Sequence, residues 1–211
     1  MTPGLRKFAL TAHVVSSVSW LGSVASFLVL GIAGLTSRNP ELVRACYLAM
    51  NLLGQFIIVP LSAVTLLTGL IESLGTQWGL FRYYWILVKF TLTVGATVLL
   101  LLHQFTAVSE AARRALGARA GSLPEVGQLG TQLVVDAALA VVVLLTATVL
   151  SIYKPWGRTP YGSRIYASER AAAIGDVAAG EASRPWVYPL LIGGLITVAA
   201  ILHLTGIMGR H

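Results

Sequence analysis

LVVDAALAVVVLLTATVLSIY, residues 133–153, is twenty-one residues of almost unbroken apolar side chain carrying one charge, Asp136. At a rise of about 1.5 Å per residue such a helix spans about 30 Å, the thickness of a bilayer's hydrocarbon core. It has no period-two alternation, which a lipid-facing barrel strand would require. Working outward, the same texture recurs at 8–35, 45–74, 83–108 and 187–208. The expected fold is therefore all-α, an integral membrane five-helix transmembrane bundle forming a single transmembrane domain over 1–211. A surface loop is expected at 154–186, with a short surface helix over 168–179. The run after Lys7 is too long for the apolar part of a cleavable signal and reads as the first membrane helix.

Composition agrees. Hydrophobic residues make up 56% of the chain and charged residues 11%, with a mean hydropathy of +0.78. Average globular chains carry about 25% charge, so this chain cannot cover its own surface with polar groups and the lipid bilayer must do so. The net charge of +7 comes from Lys and Arg lying almost entirely between the apolar runs, where they meet headgroups. No basic helix with interleaved aromatics or zinc spacing accompanies them, which argues against nucleic acid. Cys46 is the one cysteine, so no internal disulfide can form.

Eight cations fall on the N-terminal side of the bundle (Arg6, Lys7, Arg82, Lys154, Arg158, Arg164, Arg170, Arg184) and six on the other, a small bias that favours a cytoplasmic N-terminus. Trp78, Tyr83, Tyr84, Trp85, Tyr153, Trp156, Trp186 and Tyr188 crowd the N-terminal side. They read as an interfacial aromatic belt, or as a lid over an apolar ligand or cofactor there. Pro60 should kink the second span. Ser16, Ser19, Ser23 and Ser26 form a small-residue stripe suited to a close helix contact, and Asn51 with Gln55 forms a hydrogen-bonding face. Glu72 is placed to pair with Arg82.

Ionisable groups inside a membrane helix cost about 2.5–3.5 kcal/mol on insertion scales, so each needs a reason. They are His13, Lys89, His103, Asp136 and His203. His13 and Lys89 each lie about six residues into spans entering from the same side, so they share a depth of about 9 Å. His103, Asp136 and His203 collect near the opposite side, where an Asp–His pair would neutralise a costly carboxylate. Fourteen residues separate Lys89 from His103, which leaves them within about 40° of each other around the helix. Trp20, seven residues after His13, covers the same face two turns deeper.

His13-x6-Trp20-Leu21-Gly22 in the first span and Tyr84-Trp85-x3-Lys89 in the third resemble a group of small bacterial membrane proteins, an uncharacterised actinobacterial-type family of unknown function. Thr65-Leu66-Leu67-Thr68-Gly69-Leu70, the run from Trp78 to Lys89, the Leu-rich stretch ending at His103, and Tyr153-Lys154-Pro155 extend the likeness over most of 5–165. More distantly, the chain resembles the HemJ-type protoporphyrinogen oxidases and the CopD copper-resistance membrane proteins. In the former, a first-helix His and a third-helix Lys are associated with haem; His13 and Lys89 match those positions. The aromatic-Leu-Pro-Arg run expected after the first-helix Trp in that group is absent, which separates the haem site from porphyrin oxidation.

The resemblance implies a membrane haem oxidoreductase or electron-transfer protein of the bacterial inner membrane, using haem b. Cofactor-binding candidates are His13, Lys89, Trp20, His103 and His203. Metal-binding candidates are His13, His103, His203 and Asp136. Expected partners are the bilayer, a membrane redox partner or quinone, and another copy of the chain. A transporter or copper-handling protein is the alternative, with Cys46, Met50 and Met208 as soft donors. So is a structural accessory subunit, to which the serine stripe and Gly193, Gly194 and Gly206 are suited. No nucleophile elbow, phosphate loop or paired-carboxylate motif is present.

Overall fold

The structure is a computed structural model that describes residues 2–75, 80–119, 121–154 and 157–174. It is all-α, with no strand among the described residues. Helix α1 runs Pro3–Thr36, α2 Pro40–Gly75, α3 Tyr84–Gly117 and α4 Gly127–Tyr153, and these four are long and apolar enough to cross a membrane. Helix α5, Pro160–Ile174, is shorter and follows α4; it covers part of the expected 168–179 helix but begins eight residues earlier. The expected fifth span, 187–208, lies outside the described residues, as do His203, Trp78, Trp156, Trp186 and Tyr188.

Local chemistry sets the helix ends. Thr2 caps α1, its hydroxyl accepting from Leu5 N, with Pro3 in the first turn where a missing N–H costs nothing. Asn39 does the same for α2, its side-chain oxygen accepting from the amides of Glu41 and Leu42 ahead of Pro40. Only residues 37–39 separate α1 from α2, so the two must run antiparallel. Sequential helices pack side by side and α4 closes back onto α1. The result is an up-and-down bundle in which α1 and α3 face each other diagonally across the axis.

Two helices are interrupted by single wide π turns, Gly54–Ile58 in α2 and Gln104–Val108 in α3. The first lies just before Pro60, whose ring removes a backbone donor and crowds the preceding turn. The expected kink thus takes the form of a π turn. In the second, the Ser109 hydroxyl donates to the Gln104 carbonyl. The two turns touch, and Gln104 occupies the space that a side chain on Gly54 would take.

The core is built where α1 meets α2 and α4. Tyr47, Met50, Ile58 and Leu133 are fully buried, with Trp20, Val24 and Phe27 packed beside them. Met50 fits over Gly31, and Cys46 and Tyr47 over Gly34. Cys46 and Met50 are therefore packing groups. Outward faces carry Phe8, Val18, Val29 and Phe56 in the open. Only 22–33% of each span's most apolar window is buried inside the bundle, so the remainder is surface for acyl chains.

Side-chain contacts refine three expectations. Arg82 pairs with Glu169 of α5 at 3.0 Å, because α5 docks on the α2–α3 link through Thr159, which bonds the Phe81 and Arg82 carbonyls. Gln55 is exposed, and Asn51 alone bridges helices, accepting from Gln104 Nε2 at 3.2 Å. Ser16 is buried, but Ser19 and Ser26 point outward, and the Ser23 and Ser26 hydroxyls bond their own helix. No described residue covers that face.

The glycine contacts give a direct test. A Cβ at Gly130 would sit 2.5 Å from the buried Tyr47 hydroxyl oxygen, whereas one at Gly22 meets nothing within 4 Å. Gly130→Val should therefore destabilise the detergent-solubilised protein by about 1–3 kcal/mol, read as a lowered melting temperature. Gly22→Ala should be neutral or slightly stabilising.

Candidate functional site

His13 projects from the buried face of α1 and is 8% exposed. Its ring packs on α2 at Gly69, where a Cβ would come within 3.0 Å of His13 Cε1. Glycine there lets the imidazole lie directly on the backbone of α2. His13 Nδ1 is 3.1 Å from the Thr65 carbonyl oxygen and 3.1 Å from Thr68 Oγ1. A carbonyl only accepts, and the Thr68 hydroxyl donates its own proton to the Val64 carbonyl at 2.7 Å. The partners therefore assign the ring proton to Nδ1 and leave the lone pair on Nε2.

That lone pair faces Lys89. The ammonium comes from α3, across the bundle axis, and places Nζ 3.3 Å from His13 Nε2. Lys89 does not snorkel to the headgroups; it turns inward. Both residues line a cavity of about 370 Å³, with Arg6 from α1, Glu72 from α2 and Lys154 from the end of α4. Trp85 and Phe90 supply apolar walls, so at least one of the clustered aromatics does cover this site. Lys154 reaches the site from a left-handed backbone, φ 45°, that ends α4. Non-glycine residues adopt that conformation at a cost, and here it closes the helix end, Lys154 N donating to the Leu150 carbonyl.

The second group assembles elsewhere along the axis. His103 Nδ1 of α3 lies 3.0 Å from Asp136 Oδ2 of α4, with both side chains about nine-tenths buried. The pair lines a second cavity of about 300 Å³, walled mainly by Leu, Val and Ala. Trp20 lies here, 2% exposed, and not with His13: seven residues keep it on the same face but carry it into the other chamber. Trp20 Nε1, His103 Nε2 and both carboxylate oxygens of Asp136 have no hydrogen-bond partner among the described residues, the 3.0 Å approach of Oδ2 to His103 being an ion-pair distance. Each such buried group costs about 1–3 kcal/mol while it stays unpaired.

Thus the structure brings His13 to Lys89 and His103 to Asp136, but joins neither imidazole to the other. No cluster of three or more His, Cys, Asp or Glu side chains able to hold a metal exists among the described residues. Sequence reasoning missed Gln104, wholly buried beside His103, and the roles of Thr65, Gly69, Arg6 and Lys154 around His13. The stretch from Thr65 to Gly69 had been visible only as part of a family-like pattern. No family model, curated protein or solved structure matches the chain.

The contact across the axis is measurable without knowing any ligand. In a double-mutant cycle of His13→Ala and Lys89→Ala, unfolding free energies in detergent should show a coupling of about 0.5–2 kcal/mol. Strict additivity would mean that the two side chains do not meet.

Proposed function

We propose that this multi-pass membrane protein binds haem b in the His13 chamber and serves a redox or electron-transfer role. The observation that carries the reading is the state of His13. Its Nδ1–H is tied to the Thr65 carbonyl while Nε2 presents a lone pair to a cavity. That is how ligating histidines are oriented, since a hydrogen bond on one ring nitrogen fixes the tautomer and raises the basicity of the other.

The remaining donors suit the group. A b-type haem is an apolar plate with two carboxylates, and the chamber offers the apolar Leu66, Leu80, Ile86 and Phe90 beside the cationic Arg6, Lys89 and Lys154. His13 would be the axial ligand, and Lys89 the second ligand or a propionate partner, as the HemJ-type likeness implies. Haem, when bound, supplies one-electron redox chemistry. The protein's residues hold, orient and bury it. At 3.3 Å the His13–Lys89 contact is a hydrogen bond that occupies the Nε2 lone pair, so His13 would hold the group only with Lys89 turned away from that nitrogen. The same reading puts the chain in a bacterial inner membrane, N-terminus cytoplasmic by its cation bias, exchanging electrons with a membrane redox partner.

Detergent-purified protein, as isolated or titrated with haemin, should show a saturable Soret band. His13→Ala and His13→Gln should abolish it while the protein stays monodisperse, and Lys89→Met should shift the band or weaken binding by about ten-fold. A wild-type protein with no Soret band, or a His13→Gln protein with an unchanged one, removes the proposal.

A further inference from the structure

We infer that the second chamber, around His103 and Asp136, is a binding site for a lipid-soluble ring bearing carbonyl or hydroxyl oxygens, the chemistry of a membrane quinone or quinol. The inference stands apart from the haem reading, because none of its polar groups touches His13.

The chamber exists because small side chains face each other. Gly95 and Ala96 of α3 and Ala137 and Ala140 of α4 leave a space of about 300 Å³ in the bundle interior. If the walls were all hydrocarbon, an acyl chain would be a sufficient occupant. They are not. Three helices bring in buried polar groups: Trp20 from α1, His103 with the adjacent Gln104 from α3, and Asp136 from α4.

Their chemistry is complementary. The indole Nε1–H can only donate, and it has no acceptor among the described residues. Asp136 Oδ2 lies 3.0 Å from His103 Nδ1, and a carboxylate beside that nitrogen favours the proton there. His103 Nε2 is then an acceptor, also without a partner among the described residues. The chamber therefore asks for a molecule that is apolar over most of its surface, accepts a hydrogen bond at one edge and donates one at another. An alkyl chain satisfies none of the three groups. Water satisfies them but leaves the apolar walls wet, which is unfavourable. A ring carrying oxygen substituents satisfies both demands, and a ring dissolved in the bilayer can reach a chamber set among membrane-spanning helices.

The test uses the full-length protein in nanodiscs and two probes, a decyl-substituted benzoquinone and decylbenzene, which matches it in chain and ring but lacks the oxygens. Equilibrium binding should show a saturable quinone site whose affinity exceeds that for decylbenzene by about ten-fold or more. Ala140→Trp, which fills the chamber, should abolish it. His103→Leu combined with Asp136→Leu removes both polar partners together, so the fold is not left with one facing the other's empty place; it should lower quinone affinity about ten-fold while leaving decylbenzene unchanged. His13→Ala should leave quinone binding intact, which separates this site from the haem chamber. Equal binding of the two probes, no saturable quinone binding, or unchanged affinity in the double leucine variant would overturn the assignment. Should Ala140→Trp fail to fold, the double leucine variant alone decides.

Discussion

An imidazole with both nitrogens spoken for, at the centre of a bundle coated in oil, is the constraint around which the N-terminal half of this structure is arranged. In hydrocarbon, a polar group that cannot reach water must find a partner in protein. His13 finds two on α2, at Thr65 and Thr68, and one on α3, at Lys89. Lys89 lies on the helix diagonal to α1, so the contact crosses the axis and couples opposite corners that otherwise scarcely touch. Gly69 is what lets α2 come close enough to take part. The gap that remains between α1 and α3 is the chamber, and the charges of Arg6, Glu72 and Lys154 gather at it because it is the nearby polar interior. Site and packing are thus one solution to one problem: how to seat a charge and an imidazole in oil.

The two π turns solve a related problem in the middle of the bundle. A wide turn displaces the helix beyond it by one residue, so side chains that would continue one face are re-aimed. In α3 the turn begins at Gln104, directly after His103. His103 stays on the stripe that began with Lys89, while Gln104 swings against Gly54 and bonds Asn51. In α2 the turn also accommodates Pro60. The amide bridge between Asn51 and Gln104 then ties α2 to α3 at the level where both helices depart from regular geometry.

How much of this is legible in the sequence follows from which arguments are local. Span positions are legible because thickness and rise per residue fix them. The meeting of His13 with Lys89 is legible because equal depth from one interface needs only counting, and the His103–Asp136 pair because the two residues come at similar heights on successive antiparallel spans. Trp20 is misread because shared face does not mean shared chamber: ten or so ångströms along the axis separate the two cavities' walls. The Arg82–Glu169 pair is missed because Glu169 is eighty-seven residues away on a helix whose docking depends on Thr159 and the Phe81 carbonyl. The serine stripe is legible as a face, but spacing does not reveal what covers it, and among the described residues only Ser16 is buried. Gln104 is missed because nothing in its neighbours marks the π turn that buries it.

Helix α3 carries the residue that anchors each chamber, and its periodicity explains why one helix can serve both. Fourteen residues are close to four turns, so Lys89 and His103 face nearly the same way about 21 Å apart along the axis. Between them α3 runs as regular α-helix from Tyr84 to His103, with Gly95 and Ala96 in its middle. Large side chains there would press α3 against α4 and close the space beside His103. Small ones keep it open at some loss of apolar contact. Facing the space as well are polar atoms with no partner among the described residues. Leucine at these positions would lower both costs, so the packing of the four described spans does not by itself account for the chamber.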